Sequence, residues 1–377
     1  MDIINKYFKQ YADKVSFIEL QENIDFYEKH GLKDIPLPII LDEMIEGVKS
    51  NNFVNEIRIE YLINGMLYMV AVDPEFIYIN EYKEILSNLL IDPTEYALSN
   101  VAKIMDKNFI DSLIYSRAAF LLNERNELAA YNYAKLLWNL DVPEEEKHVY
   151  VEQAVRILER ILRHNENNAL ANYELGNINT RLGNYVKANN FYRKALNNTH
   201  LDELQEQIRN NMNIIAPDIA VENAIYHINK MDYSSALEEL MEVRKNSSRY
   251  DIPYYIAISY MNQGIPDMAE KFFEEAIDKG ADFANLYTDL VYIKYLLNKD
   301  IEALEIANDA LEKFPSEIKL RYNRAVIYVS IKQYDKANED FDFILEYQDL
   351  SDELYNQIMI IKESIGGLND GRGITDN

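Results

Sequence analysis

The sequence predicts an all-α fold, an α-solenoid of stacked helix-turn-helix repeats. Three observations carry that prediction: five segments that align without gaps, a small residue that recurs in each at a nearly constant interval, and a composition poor in turn formers.

The five segments begin at Ala169 (ALANYELGNINTRLGNYVKANNFYRKAL), Ile219, Ile252, Phe283 and Ile318. Each places an alanine early in its second helix: Ala188, Ala236, Ala269, Ala303 and Ala337. The last three intervals are 33, 34 and 34 residues, and the first is 48 because a helical stretch from Leu201 is inserted. The recurrence has a packing reason. Two helices can cross closely only where one side chain is small, and a bulky residue one turn later fills the hole beside it. One pair cannot bury its own apolar face, so pairs must stack. Turn formers fall between the helices, as Gly183-Asn184, Gly264-Ile265-Pro266 and Asn298-Lys299-Asp300.

The pattern resembles the tetratricopeptide repeat family, with its repeat of about 34 residues. The Ala169 segment matches with Leu175, Gly176, Ala188, Tyr192 and Ala195, and the Ile252 segment with Ala257, Tyr260, Gly264, Ala269, Phe273 and Ala276. The Phe283 segment contributes Tyr287, Leu290, Ala303, Ala307, Ala310 and Pro315, and the last segment Ala325, Tyr328, Tyr334, Ala337 and Phe341.

Upstream the register blurs. Ala118, Ala130, Ala134 and Leu137 fit a further repeat from about Asp111, yet Ala130 and Ala154 are only 24 apart, which implies a shared or inserted helix. Asp141-Val142-Pro143-Glu144 starts another helix. Downstream, 351–365 reads as a capping helix with Ser351 as N-cap and Leu354, Ile358 and Ile361 as its apolar stripe. The glycines Gly366, Gly367, Gly371 and Gly373 mark 366–377 as a flexible tail.

The expected layout is therefore an N-terminal helical domain (1–108), a repeat array with its cap (109–365), and the tail. In the first part, segments near 2–11, 16–30, 38–50, 77–90 and 94–106 look helical, and Asp92-Pro93-Thr94-Glu95 is a helix start. Residues 57–72 are ambiguous. IRIEYLI-NG-MLYMVAV reads as a hairpin turning at Asn64-Gly65 or as one buried helix. The helix is preferred, because a lone hairpin is marginal and no other strand is evident.

Composition narrows the function. Apolar residues are 48% and charged residues 27%, the balance of a folded chain, with only 11 Gly and 9 Pro. There is no cysteine, which excludes disulfides, thiolate metal sites and thiol nucleophiles. The start lacks the features of a signal peptide, and the longest apolar stretch, Ile59 to Val72, is shorter than the roughly 20 residues of a membrane span. A cytoplasmic protein is expected. The formal charge of −26, from 38 basic and 64 acidic residues, argues against nucleic acid and anionic membranes as partners.

No catalytic constellation stands out, so a non-enzymatic protein without cofactor or metal is expected. The five histidines (His30, His148, His164, His200, His227) are scattered, and no phosphate loop or nucleophile elbow is present. Acidic pairs such as Glu238-Glu239 read as solvated helix faces.

What the family resemblance implies is a concave groove lined by the first helix of each repeat. By repeat position it holds Tyr173, Asn177 and Arg181, then Val221, Ile225 and Asn229. It continues with Tyr254, Ile258 and Asn262, then Tyr292 and Tyr295, and ends with Tyr322 and Val326. Tyrosine suits recognition, offering area and a hydroxyl at little entropic cost. These positions carry few charges, so binding there should depend weakly on salt. Asn323 resembles one residue of the family's carboxylate clamp, but the preceding repeats lack the matching lysine. The expected function is a scaffold holding a peptide segment or helix of a partner protein. The alternative is a peptide-sensing regulator whose N-terminal domain acts on a second protein.

Overall fold

The computed structural model describes residues 2–19, 29–33, 35–49, 58–347 and 349–369. The chain divides into two compact units, 1–212 and 213–377. Among the described residues there are nineteen α-helices and one pair of short strands.

The first unit opens with α1 (Ile3–Lys9) and a 3-10 turn (Gln10–Lys14), followed by β1 (Val15–Ile18) and β2 (Leu37–Ile40). The strands pair antiparallel, Val15 opposite Ile40 and Ile18 opposite Leu37. This corrects the helices expected at 16–30 and 38–50: helix α2 (Leu41–Lys49) begins only after the strand, and 20–28 lie outside the described residues. Sequence alone misses the strands because each is four residues long and depends on a partner about 20 residues away. Their support is a helix rather than further strands.

That helix is α3 (Ile59–Val72), which settles the ambiguous stretch. Asn64-Gly65 is no turn. A Cβ on Gly65 would lie 1.9 Å from the carbonyl oxygen of Pro38, so the glycine is there to let strand β2 cross against the helix. Ten of the fourteen residues of α3 are buried, which explains a stretch apolar all round.

Next come α4 (Ile79–Leu89), α5 (Pro93–Ile104), α6 (Phe109–Leu122), α7 (Glu127–Trp138), α8 (Glu144–His164), α9 (Ala169–Arg181) and α10 (Tyr185–Asn198). Their starts are written in the sequence. Asp92, Asn108, Asn126 and Asn168 each accept a backbone N–H of the first turn with the side chain, and Pro93 occupies the first position of α5. Helix α7 packs on α8 and also touches α9, so α7 is the first helix of a pair and α8 the second. The expected repeat starting at Asp111 is corrected accordingly: α6 pairs with α5. Ala130 then lies in a first helix and Ala154 in a second, and Ala154 falls 34 residues before Ala188, in register with the array. One apolar core runs from Ile4 to Ile178.

Helix α11 (Asp202–Asn229) carries Pro217 in its interior. Proline has no N–H for the carbonyl of Asn213, four residues back, and the division between the units falls at 212/213. The second unit continues with α12 (Tyr233–Arg244), α13 (Asp251–Asn262), α14 (Pro266–Asp278), α15 (Ala284–Leu296), α16 (Asp300–Lys313), α17 (Ile318–Ser330), α18 (Tyr334–Leu345) and α19 (Asp352–Asn369). Ala188, Ala236, Ala269, Ala303 and Ala337 are all fully buried in equivalent places. The turn between paired helices recurs too. Gly183, Met231, Gly264, Asn298 and Lys332 all adopt positive φ, and two of the five, Met231 and Lys332, are residues that resist it.

Helix α19 is the expected cap. Ser351 Oγ accepts from Leu354 N at 3.3 Å, Ile358 is fully buried, and Leu354 and Ile361 pack beside it. The helix runs on to Asn369, past the expected end at 365, and 370–377 lie outside the described residues.

Candidate functional site

The first helices of successive pairs meet at equivalent positions, and the hydrogen bonds between them follow the repeat period. Trp138 Nε1 donates to Glu174 Oε1 at 2.7 Å, a separation of 36 residues. Asn211 donates to Asn177 Oδ1 at 3.1 Å, 34 residues apart. Tyr254 Oη donates to Asp289 Oδ2 at 3.5 Å and Asn323 Nδ2 to the Thr288 carbonyl at 3.1 Å, each 35 apart. These are candidate recognition faces, described for each unit separately.

In the first unit the face is closed by its own polar groups. Tyr192 Oη donates to Asn177 Oδ1 at 2.8 Å, and Asn211 Nδ2 reaches Tyr173 Oη at 3.5 Å and Tyr192 Oη at 3.4 Å. Asn177 also donates to Glu174 Oε2 at 3.4 Å. Glu174 is almost fully buried, and desolvation raises its pKa against the opposing hydrogen bond from Trp138. Beneath the cluster, a Cβ on Gly176 would lie 2.5 Å from the Tyr192 ring, so the Leu-Gly of the repeat is a steric requirement. Of the expected groove residues here, Tyr173 is half-buried and Asn177 is engaged on all sides. Arg181 is exposed and lies 5.6 Å from the centre of the Trp138 ring. Arg181 and Trp138 line a cavity of about 430 Å3 with Lys147 and His148.

In the second unit the face is more open. Tyr292 is 43% exposed, Ile225 36% and Leu296 47%. Tyr295 and Tyr322 are half-buried, the latter 6.2 Å from Phe341 between ring centres. Tyr254 is wedged among Phe273, Phe283 and Tyr255 with its hydroxyl toward Asp289. Desolvation lifts Asp289 to about 6, opposed by the Tyr254 hydrogen bond and the charge of Lys319. Val326 is half-buried.

Three further expected groove residues stand in differing surroundings. Val221 is buried in the apolar core of its unit, Ile258 packs against the same core, and Asn262 donates to the carbonyl of Ile258 in its own helix at 2.8 Å. Asn229 is exposed at the end of α11. Sequence reasoning missed Trp138, Glu174, Asn211 and Asp289. The signal that finds them is polar or aromatic residues one repeat period from a groove position: 177 to 211 and 254 to 289. Among the described residues no group of three His, Asp or Glu has metal-binding geometry, and no helix is long and apolar enough to cross a membrane.

Helix pairs stacked within each unit, with buried alanines at their crossings, are the architecture of an α-solenoid. The tetratricopeptide repeat family model matches residues 151–202. A tetratricopeptide repeat-containing protein of Methanocaldococcus jannaschii is 31% identical over 80 residues, 21% of this chain and 23% of that protein's length. Among solved structures, a tetratricopeptide repeat protein from Parabacteroides merdae is 15% identical with a TM-score of 0.33, over 72% of this chain and 98% of that one. The TPR2AB domain of yeast Sti1, solved in a pHSP90 complex, is 17% identical with a TM-score of 0.27, over 65% and 98%. The family match covers one stretch of the repeat array, from within α8 to the start of α11.

Proposed function

We propose that this chain is a non-enzymatic scaffold that binds a peptide segment or helix of a partner protein on its first-helix face. The proposed contact residues are Tyr254, Tyr292, Tyr295 and Tyr322 with Ile225 and Val326. The protein works in the cytoplasm without a cofactor. The observation that carries this reading is the exposure of Tyr292, Ile225 and Leu296, large apolar side chains on first helices that folding leaves in water. Tyrosines that combine a broad ring with a free hydroxyl are the side chains that dominate protein interfaces. Asp289, which accepts the Tyr254 hydroxyl and which burial lifts to about 6, would meet a donor of the guest.

The test is selection of displayed random peptides on the full chain, followed by fluorescence anisotropy of an enriched peptide. Tyr292→Ala with Tyr322→Ala should weaken it at least about tenfold, the loss of two interface anchors, with little dependence on salt. Enrichment of no peptide, or equal binding by the double variant, would sink the reading.

A further inference from the structure

Four arginines line a cleft of about 500 Å3 in the first unit that includes none of the expected groove residues. Arg117 comes from α6. Arg156, Arg160 and Arg163 come from α8, at a 4-then-3 spacing that sets them on one helix face. Phe120, Tyr133 and Ile157 supply apolar lining. Two carboxylates reach the cleft, and both are engaged. Asp2 accepts the backbone N–H of Asn5 at 2.7 Å, and Glu124 pairs with Arg160 at 2.6 Å.

Arg117 is only 4% exposed. It donates to the Ala71 carbonyl at 2.7 Å and to Asn5 Oδ1, and its guanidinium lies 4.0 Å from the centre of the Phe8 ring. Among the described residues no carboxylate stands within ion-pair distance of it; desolvation lowers its pKa, against Tyr133 and the charge of Asp2, which raise it. Arg156 donates to Gln153 Oε1 at 3.1 and 2.9 Å, and neither it nor Arg163 has an ion pair among the described residues. The second unit treats arginine differently: Arg244, Arg249, Arg321 and Arg324 each sit on a carboxylate. With 64 acidic residues in the chain, partners were not scarce. Arginine near a helix C-terminus favours the macrodipole, which accounts for Arg163 in the last turn of α8. It does not account for Arg156, two turns earlier, or for Arg117 on another helix.

Clustered like charges repel, and a buried cation whose nearest carboxylate, Asp2, acts only at a distance is incompletely compensated. An anion in the cleft relieves both. We propose that this cleft binds a phosphate oxyanion, gripped by Arg156 and Arg163 with Arg117 and Arg160 behind them. Guanidinium forks match tetrahedral oxyanions in paired hydrogen bonds. The volume is that of a small-molecule pocket, and the apolar lining favours a phosphate ester with a flat organic body over free phosphate.

The experiment is calorimetric titration of the full chain at low salt with pyrophosphate, ADP and adenosine. Pyrophosphate and ADP should bind and adenosine should not. Arg156→Gln with Arg163→Gln, both at exposed positions, should lower anion affinity at least tenfold while helical circular dichroism is unchanged. Arg193→Gln with Lys194→Gln, an equal change of two charges on exposed surface of α10, should leave it alone. Tighter binding of ADP assigns the cleft to an ester, and equal binding assigns it to inorganic phosphate. Absence of binding by both anions at millimolar concentration overturns the proposal, as does a double variant within twofold of the parent. The peptide test reads a different face, so either can fail alone.

Discussion

In residues 1–212 the polar side chains of the first helices close on one another, Trp138 on Glu174 and Tyr192, Asn177 and Asn211 in a triangle. In 213–377 the equivalent helices leave Tyr292 and Ile225 in water and hold Asp289 half-buried under a long hydrogen bond from Tyr254. The repeat is the same and the outcome differs because of what occupies the position one period away. An Asn answered by an Asn is satisfied inside the chain. A Tyr beside an exposed helix face still has area and a hydroxyl to offer. Buried polar groups that find partners fix the local packing, while unsatisfied surface is available to a guest.

The comparison breaks most readily at Trp138. Trp138→Ala removes a nearly buried indole and strips Glu174 of its donor, and should cost about 3–5 kcal/mol, read as a lower urea midpoint of the helical signal. If the midpoint is unmoved, the first-unit face is not the packed element described here. Next in size is Asn177→Ala, which leaves Tyr192 and Asn211 without their shared acceptor and should cost about 1–3 kcal/mol in the same assay.

Asp289 gives the second unit its own signature. Its pKa stands at about 6 against a reference of 3.8, so the folded state holds a proton that the unfolded chain has released. Stability therefore falls as pH rises from about 4 to about 6, and stays at the lower level above that. Asp289→Asn should abolish the fall, a difference on the order of 1 kcal/mol after allowance for solvent screening. Urea midpoints at about pH 4.5 and pH 7.5 that shift equally in both proteins would refute the assignment.

Smaller still is the turn at Lys332, which takes φ 60° with a full side chain. Lys332→Gly should stabilise the chain by up to about 1 kcal/mol, because glycine adopts that conformation without strain. Smallest of all, Tyr292→Ala should move stability by no more than about 0.5 kcal/mol. A larger loss in a melting curve would make Tyr292 part of the packing and not a contact for a guest.

Much of this was legible in the residues. The alanines at the crossings, the asparagine and aspartate caps and the terminal helix are local features with local causes, and each stands where the repeat spacing put it. Tyr292, Tyr295 and Tyr322 were legible as first-helix residues by the same count. Val221 was not legible as core, because period gives the helix face and not how far the neighbouring helix covers it. Asp289 and Glu174 were hidden by a preference for aromatic residues, although both stand one repeat from a partner.

By itself the sequence determined that helices form, how they pair and where they turn, since capping, small-residue spacing and apolar stripes act within some 34 residues. Only the tertiary structure decided that Val15–Ile18 and Leu37–Ile40 are strands and that Gly65 is a point of close approach. Only it gathered Arg117 with the arginines of α8 into one cleft. Those outcomes depend on which backbone or charge arrives from a distant segment, and no local preference encodes that arrival.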